Sequence, residues 1–355
     1  MNAQFLPANP GDATVADQLG RPLHDLRVSV METCNYRCPY CMPEGRVAEE
    51  TSLDRARRLD FGEIETAVRA FARLGVSKVR LTGGEPLLRK DLPQLVRRLA
   101  AIPGIDDLAL TTNASLLAGK AQALRDAGLH RLTISLDALE PELFRKLSGG
   151  RGDLADVLAG ISAAEAAGFT GIKFNAVVQR GINEDQVLPL VQRFRGTGHV
   201  LRFIEYMDVG SCNGWTAQAV VPSRELHERI AARWPVRALQ PGYRGEVAAR
   251  HVFADGQGEI GFISSVSAPF CSDCHRARLS ADGRVFTCLF AAVGTDVRAE
   301  IMQGEPVLAA RLASLWRGRS DRYSELRIAR ADAGPAPAVG PARASKKIEM
   351  FFIGG

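Results

Sequence analysis

Apolar segments of strand length alternate with segments of helical period through the middle of the chain. The apolar segments predict strands at Leu26–Met31, Lys78–Leu81, Leu108–Thr111, Arg131–Leu136, Ile172–Val178 and Val200–Glu205. The segments between them predict helices at Gly62–Leu74, Leu92–Leu99, Leu116–Ala127, Leu154–Ala167 and Asp185–Phe194. This alternation indicates a parallel sheet with right-handed crossovers, and six strands are too few for a closed eight-stranded barrel. We therefore predict an α/β fold, a partial (β/α)6 barrel with its site at the carboxyl ends of the strands.

Several predicted strands carry polar side chains on one face and apolar side chains on the other. Helices must cover one face of the sheet, so the apolar face points outward and the polar face lines the lumen. That lumen would hold Arg27, Arg80 and Lys173. Buried cations are costly unless they are hydrated or paired with an anion. The alternation alone also fits a half-open sheet with one solvated face.

Composition narrows the class of protein. The chain has 355 residues, 46% hydrophobic content, a net charge of +5 and a pI of about 8.9. This mildly basic balance favours an anionic ligand and is too weak to indicate nucleic acid. The sequence has no eighteen-residue apolar segment, and Met1–Gly20 lacks the features of a signal peptide. We expect a cytoplasmic protein without membrane or nucleic-acid partners.

Changes in composition suggest five regions. A polar, Pro- and Gly-containing start predicts a mobile tail, the strand–helix alternation defines the barrel, and a later part with Gly-rich turns and short strands forms a smaller region. An Ala/Pro/Gly-rich linker precedes an apolar tail ending in two glycines. The predicted bounds are 1–21, 22–215, 216–330, 331–347 and 348–355.

Six of the seven cysteines fall into two triplets, which suggests metal ligands in a reducing compartment. Cys34, Cys38 and Cys41 follow the first strand. Three close thiolates can hold an iron–sulfur cluster and leave its fourth iron open. A structural metal ion closed by a fourth ligand is the alternative. The seventh cysteine, Cys212, is interpreted as an ordinary thiol.

The second triplet is Cys271, Cys274 and Cys288, with two ligands in a tight turn and one after a predicted hairpin. It predicts a second cluster, and a zinc site completed by His275 is the alternative. Arg276 and Arg278 lie two apart on an extended segment, so their guanidinium groups share a face. Such a pair suits bidentate binding of phosphate, which indicates a polyanionic substrate such as a nucleoside triphosphate.

Tyr40 directly before Cys41, together with Thr82-Gly-Gly-Glu-Pro86 after the second strand, gives the chain a resemblance to the radical S-adenosylmethionine superfamily. The resemblance implies a cluster on the first triplet whose open iron binds S-adenosylmethionine, and a 5′-deoxyadenosyl radical as oxidant. The reactive group then belongs to the cofactor, so no side chain is assigned as catalytic. The residues implied to bind the cofactor are Tyr40, Gly84, Ser135 and Met207.

Further segments resemble the GTP 3′,8-cyclase family of molybdenum cofactor biosynthesis: Arg27–Val30, Cys34–Pro43, Thr111–Asn113, Ser135–Asp137, Arg202–Gly210 and Cys271–Phe290. The resemblance implies two [4Fe–4S] clusters, GTP as substrate and (8S)-3′,8-cyclo-7,8-dihydroguanosine 5′-triphosphate as product. It also implies cyclic pyranopterin monophosphate synthase as the next enzyme and a tail whose Gly354 and Gly355 enter the site. The residues implied to contact GTP are Arg27, Arg80, Thr111, Lys173, Arg276, Ala277 and Arg278.

The chain departs from that family at two places: Met31-Glu32-Thr33, directly before the first cysteine, and His275, directly after Cys274. Neither departure removes a cluster ligand. Two other functions are weighed: another radical enzyme with auxiliary clusters, such as a peptide-modifying one, and a non-catalytic zinc scaffold. The arginine pair and the basic lumen favour GTP. The reductant is unknown, and either a monomer or a homodimer is expected.

Overall fold

One twelve-stranded sheet runs through the part of the chain that the computed structural model describes, residues 14–45, 57–332 and 347–354. Its strands are β1 (Asp25–Ser29), β2 (Lys78–Thr82), β3 (Asp107–Thr112), β4 (Arg131–Ser135), β5 (Lys173–Val178), β6 (Val200–Glu205), β7 (Val236–Ala238), β8 (Ala249–Phe253), β9 (Glu259–Ile263), β10 (Arg276–Leu279), β11 (Arg284–Phe286) and β12 (Thr295–Asp296). The helices are α1 (Phe61–Ala72), α2 (Leu92–Ala100), α3 (Ala121–Asp126), α4 (Pro141–Leu147), α5 (Leu154–Ala166), α6 (Val187–Phe194), α7 (Ser223–Ala231), α8 (Arg298–Gln303), α9 (Glu305–Arg317), α10 (Tyr323–Asp332) and α11 (Met350–Ile353).

The strands β1 to β6 lie side by side in chain order and are parallel, as the strand–helix alternation predicts. The sheet is open, and the α/β partial barrel is confirmed. The part of the chain after β6 extends this sheet at both edges, because β9 pairs in parallel with β6 and β10 pairs in parallel with β1. Antiparallel strands continue beyond each of them. The division of the chain at residues 215 and 216 stays a prediction.

Local sequence explains the helices that flank this sheet. Helix α1 begins with a capping box, in which Asp60 accepts from the backbone of Glu63 at 2.8 Å and Glu63 accepts from the backbone of Asp60 at 2.7 Å. Its apolar face buries Ile64, Val68 and Phe71 against the sheet. The third predicted helix is shorter than expected, since α3 begins at Ala121 after turns. Helix α4 was not predicted; Glu140 caps its first turn.

The alternation within the strands also matches the expectation. On β1, Leu26 and Val28 are fully buried in the hydrophobic core. The pairing register sets Arg27 opposite Arg80 on β2 and opposite Arg278 on β10. Three guanidinium-bearing residues therefore lie side by side across three neighbouring strands.

Residues 14–21 correct one prediction. Instead of belonging to a mobile tail, they pack onto the rest of the protein: Val15 is buried in the hydrophobic core and Arg21 is fully buried. Arg21 Nε donates to Asp17 Oδ2 at 2.6 Å, and Arg319 Nη1 donates to the same oxygen at 3.1 Å. The prediction for 1–21 is therefore wrong for this part, because the polar side chains that suggested solvation pair with each other. Residues 1–13 lie outside the described part.

Two remaining points concern the predicted linker and the membrane. Residues 331 and 332 of the predicted linker belong to α10, Lys347 makes the contacts given below, and 333–346 lie outside the described residues. In the described ranges, the structure contains no helix with the length and apolar character needed to cross a membrane.

Candidate active site

The first cysteine triplet lies in the loop after β1. The backbone N–H of Tyr36 donates to Cys34 Sγ at 3.3 Å, and the backbone N–H groups of Cys41 and Met42 both donate to the carbonyl of Cys38 at 3.0 and 2.9 Å. Burial raises the pKa of Cys34 to about 11, and it also raises the pKa of Cys38 and Cys41. The bare thiols are thus held protonated, and a bound metal cation would be needed to stabilise three thiolates here.

Gly83 and Gly84 allow the loop after β2 to pack directly on the cysteine loop. Gly84 N donates to the carbonyl of Met31 at 2.7 Å, and Glu85 N donates to the carbonyl of Thr33 at 2.8 Å. A Cβ on Gly84 would lie 2.1 Å from the Thr33 oxygen, and one on Gly83 would lie 2.2 Å from the Met31 oxygen. Only glycine fits such an approach of two backbones.

Glu85 ties this packing to β3, and the sequence did not single it out as a site residue. Its buried carboxylate accepts from Thr112 Oγ1 at 2.7 Å, from Asn113 N at 2.8 Å and from Leu87 N at 2.9 Å. Burial raises its pKa to about 7, although these donors favour the ionised form. Asn113 Nδ2 in turn lies 3.9 Å from Cys34 Sγ. Glu85 therefore fixes a residue that contacts a predicted cluster ligand.

Tyr40 extends from the cysteine loop to the end of β4. Its hydroxyl donates to Asp137 Oδ2 at 2.6 Å, and Asp137 Oδ1 accepts from Val177 N at 2.8 Å. Burial raises the pKa of Asp137 to about 6. Of the other residues predicted to bind the cofactor, Ser135 is the last residue of β4 and Met207 follows β6. The four predicted positions thus lie at the carboxyl ends of β1, β2, β4 and β6, and their role stays a prediction.

The second triplet lies beside β10 and β11, and two buried arginines hold its backbone. Arg21 Nη1 donates to the carbonyl of Cys271 at 2.6 Å, and Arg319 Nη1 donates to that of Cys274 at 2.6 Å. Burial raises the pKa of Cys288 to about 11. At Cys274 burial acts in the same direction, but the nearby Arg276 and Arg319 outweigh it and lower the pKa to about 6. Arg21 and Arg319 were missed, because neither lies near these cysteines in the sequence.

The donor arrangement fits clusters better than single ions. A tetrahedral zinc ion with bonds of about 2.3 Å holds its sulfur ligands about 3.8 Å apart. Across residues 14–45, 57–332 and 347–354, neither triplet has three sulfur atoms within 4.8 Å of one another, whereas His275 meets this criterion with His24 and Asp25. His275 is thus grouped with His24 and Asp25 rather than with the cysteines. This disfavours the zinc site completed by His275 and fits a larger polynuclear group on each triplet.

A large cavity opens inside the barrel and borders the second triplet. It encloses about 1610 Å³, including space open to solvent. The described residues that line it include nine arginines and lysines but four carboxylates. The predicted substrate residues found there are Arg27, Arg80, Thr111, Lys173, Arg276 and Arg278. Ala277, between Arg276 and Arg278 on β10, is buried in the hydrophobic core and is not among the described residues that line the cavity.

The cavity also contains Lys78 and Arg202, which the sequence analysis did not assign. Both could have been found from strand parity, since Lys78 shares a face with Arg80 on β2. Burial lowers the pKa of Lys173 to about 7 and that of Arg202 to about 9, and neighbouring cations act in the same direction. Burial and Arg276 lower the pKa of Arg278 to about 10. An anion in this cavity would favour the charged forms of these buried cations.

Part of the C-terminal tail reaches the cavity wall. Phe351 and Ile353 of α11 are buried, and Arg278 Nη1 donates to the carbonyls of Gly354 and, at 3.3 Å, Ile353. Gly354 has a φ of +69°, and a Cβ there would lie 2.1 Å from Thr82 Cγ2. Gly355 lies outside the described residues.

The structure accounts for both departures from the family pattern. Glu32 is buried and forms an ion pair with Arg58, whose Nε donates to Oε2 at 3.0 Å. His275 is 3% exposed and packs against Gly245, where a Cβ would lie 2.1 Å from its Cδ2. Glu32 is thus matched by a cationic partner, and His275 by the room that Gly245 leaves for its ring.

Comparison with known proteins agrees with this geometry. The profile of the family described as "Radical SAM superfamily" matches residues 28–194, and that of "Molybdenum Cofactor Synthesis C" matches residues 199–325. A crystal structure of SuiB from Streptococcus suis superposes with a TM-score of 0.59 at 15% identity, covering 88% of this chain and 69% of that one. SuiB bound to S-adenosylmethionine gives a TM-score of 0.57 at 16% identity, covering 82% and 68%. At these identities the likeness shows the fold alone.

The fold and the site define a radical S-adenosylmethionine protein, because an open parallel barrel carries this cysteine loop and this Gly-Gly-Glu-Pro turn. Proteins of this class bind an iron–sulfur cluster and use S-adenosylmethionine. The GTP 3′,8-cyclase of Xanthomonas axonopodis is 62% identical over 97% of this chain and 99% of its own length. The GTP 3′,8-cyclases of Acidothermus cellulolyticus and Staphylococcus carnosus are 51% and 42% identical, each over 96% of this chain and 99% of their own. The chain belongs to the GTP 3′,8-cyclase family.

Proposed function

We propose that this protein converts GTP to (8S)-3′,8-cyclo-7,8-dihydroguanosine 5′-triphosphate, the first step of molybdenum cofactor biosynthesis. The observation that carries the proposal is the basic cavity inside the barrel, which the second cysteine triplet borders and nine arginines and lysines among the described residues line. A nucleoside triphosphate supplies the several negative charges that such a cavity needs. Membership of the cyclase family supports the same substrate.

The residues present fit two [4Fe–4S] clusters, one on Cys34, Cys38 and Cys41 and one on Cys271, Cys274 and Cys288. The separated sulfur atoms and the arginine-held backbone of the second triplet support this assignment. If bound there, the first cluster would pass an electron from the reductant to S-adenosylmethionine, and the resulting 5′-deoxyadenosyl radical would remove hydrogen from ribose C3′. Addition of C3′ to guanine C8 would then require one further electron and one proton to give the closed-shell product. Tyr40, Gly84, Ser135 and Met207 are proposed to surround S-adenosylmethionine.

The protein's own contribution is to hold and shield GTP. Arg27, Arg80 and Arg278 lie side by side on β1, β2 and β10 and present guanidinium groups to phosphate oxygens. Arg80 is already oriented, because its Nη1 donates to Thr111 Oγ1 at 3.1 Å and to Thr133 Oγ1 at 2.8 Å. Lys173, whose pKa is lowered to about 7, becomes fully protonated when a triphosphate enters. The buried tail closes one wall and limits access of water.

The test is anaerobic turnover of the reconstituted protein with GTP, S-adenosylmethionine and a strong reductant. We expect 5′-deoxyadenosine and the cyclised nucleotide in equal amounts. Arg276→Lys should raise the Kd for GTP by about tenfold, because lysine cannot make the bidentate contact. Arg237→Lys, on exposed β7, is the matched control and should leave the Kd unchanged. Formation of 5′-deoxyadenosine with a peptide substrate and not with GTP would overturn the proposal.

We further propose that the product passes to cyclic pyranopterin monophosphate synthase and that the reaction takes place in the cytoplasm. The product is a triphosphate, so the next enzyme must bind a similar polyanion. The choice between a monomer and a homodimer stays a prediction, as does the identity of the reductant.

A further inference from the structure

The tail is held at two points before it reaches the cavity. At the first point, Lys347 Nζ donates to the backbone carbonyl of Asp208 at 2.9 Å, to Asp208 Oδ2 at 2.9 Å and to Tyr323 OH at 2.6 Å. The Tyr323 hydroxyl also donates to Asp208 Oδ2 at 2.5 Å, and Arg327 pairs with the other carboxylate oxygen. The ammonium group therefore sits in a formed site rather than on open surface.

At the second point, the Glu349 carboxylate accepts three hydrogen bonds from consecutive residues. Ser211 donates through its backbone N at 3.0 Å and through its hydroxyl at 2.6 Å, both to Oε1. Cys212 Sγ donates to Oε2 at 2.9 Å. Gly210 makes room for this carboxylate, because a Cβ there would lie 2.2 Å from Oε2. Cys212, interpreted from the sequence as an ordinary thiol, thus contacts the tail.

The segment that makes these contacts, residues 208–212, also touches the first cysteine loop and directly follows a residue of the cavity wall. Met207, immediately before it, lines the cavity. Cys212 Sγ lies 3.8 Å from the carbonyl of Cys41 in the first cysteine loop. One short stretch, residues 207–212, therefore contacts the tail, forms part of the cavity wall and touches the loop of a predicted cluster ligand.

We propose that Asp208, Ser211 and Cys212 form a tail clamp that positions Gly354 at Arg278 by binding Lys347 and Glu349. The clamp residues are positioning residues, since none of them is assigned a contact with GTP. Glu349 and Lys347 present opposite charges two residues apart, so the clamp fixes both the depth and the register of the tail. The consequence for the reaction rests on the proposed function, whereas the positioning of the tail does not.

The test measures hydrogen exchange of residues 350–353 by mass spectrometry in the full-length, cluster-loaded protein. Glu349→Gln and Ser211→Ala should each accelerate exchange by about tenfold, the effect of one net hydrogen bond. Cys212→Ser keeps a donor and should stay within about twofold of the parent protein. Glu228→Gln, on an exposed part of α7, is the matched control for loss of a carboxylate. Unchanged exchange in both Glu349→Gln and Ser211→Ala would overturn the clamp.

A second readout separates the clamp from the proposed function. For Glu349→Gln we expect the ratio of cyclised nucleotide to 5′-deoxyadenosine to fall by about threefold or more, with the Km for S-adenosylmethionine unchanged, and Glu349→Asp to recover part of the ratio. A parent protein that makes no cyclised nucleotide contradicts the proposed function and leaves the exchange result standing. Faster tail exchange with an unchanged product ratio overturns the role of the clamp in the reaction.

Discussion

Replacement of Gly354 with alanine should release the tail tip from the cavity wall. The residue has a φ of +69°, and a Cβ would lie 2.1 Å from Thr82 Cγ2 and 3.2 Å from both Thr82 Cβ and Thr82 Oγ1. Thr82 is the last residue of β2 and its carbonyl accepts from Val30 N at 2.9 Å, so the strand cannot easily move away. The tail must therefore shift.

The size of the effect follows from two contributions. A positive φ costs an alanine about 1–2 kcal/mol relative to glycine. An overpacked methyl group costs about 1–3 kcal/mol more. Burial of the Phe351 and Ile353 side chains stabilises the docked tail by about 1.5–3 kcal/mol each, but ordering the backbone opposes this by about 1–2 kcal/mol per residue. Because the net stability of docking is small, a loss of about 2 kcal/mol or more shifts the tail towards release.

The assay is again hydrogen exchange of residues 350–353, with Thr82→Ser as a suppressor. Gly354→Ala should accelerate exchange by about thirtyfold or more, the equivalent of about 2 kcal/mol. Thr82→Ser removes the methyl group that clashes, so the double variant should recover the steric part but not the backbone part. Parental exchange in Gly354→Ala, or no recovery in the double variant, would refute the reasoning.

Three further predictions follow from buried groups and close contacts. Burial raises the pKa of Asp137 from 3.8 to about 6, so the free energy of unfolding should fall by up to about 3 kcal/mol as pH rises through this interval. Asp137→Asn should remove this pH dependence of the free energy of unfolding, measured by urea unfolding. Arg58→Met should cost about 3–5 kcal/mol, since it leaves the buried Glu32 unpaired, and adding Glu32→Gln should restore part of the loss in the same assay. Gly84→Ala should lower iron retention by displacing the cysteine loop, whereas Gly119→Ala, with open space around it, should not.

The parallel strands and the loops that follow them could be predicted, because the residues that specify them lie close together in the sequence. Period-two alternation on β2 and β5 separated lumen residues from core residues, and it placed Arg80 and Lys173 in the cavity correctly. The spacing of the cysteines and the glycines before Glu85 marked the loops that pack together. Such signals depend on residues close in sequence, whose geometry the strand or turn dictates.

What the sequence did not reveal depends on distant partners. Asp17 and Arg21 resemble part of a solvated tail until Arg319 is brought beside them, about three hundred residues later. The joining of β10 to β1 is similarly remote, so the C-terminal region was predicted as a separate unit rather than as both edges of one sheet. Glu349 belongs to no sequence motif, and its proposed role in holding the tail depends on a loop that follows β6. No local pattern encodes such pairings.

The measurement that tests the account most directly is the iron and acid-labile sulfide content of three anaerobically reconstituted proteins. These are the parent protein and variants in which each triplet, Cys34, Cys38 and Cys41 or Cys271, Cys274 and Cys288, is replaced by alanine. Two independent [4Fe–4S] clusters predict about eight iron atoms in the parent protein and about four in each variant. One zinc ion per triplet, or complete loss of iron from either variant, would contradict the account.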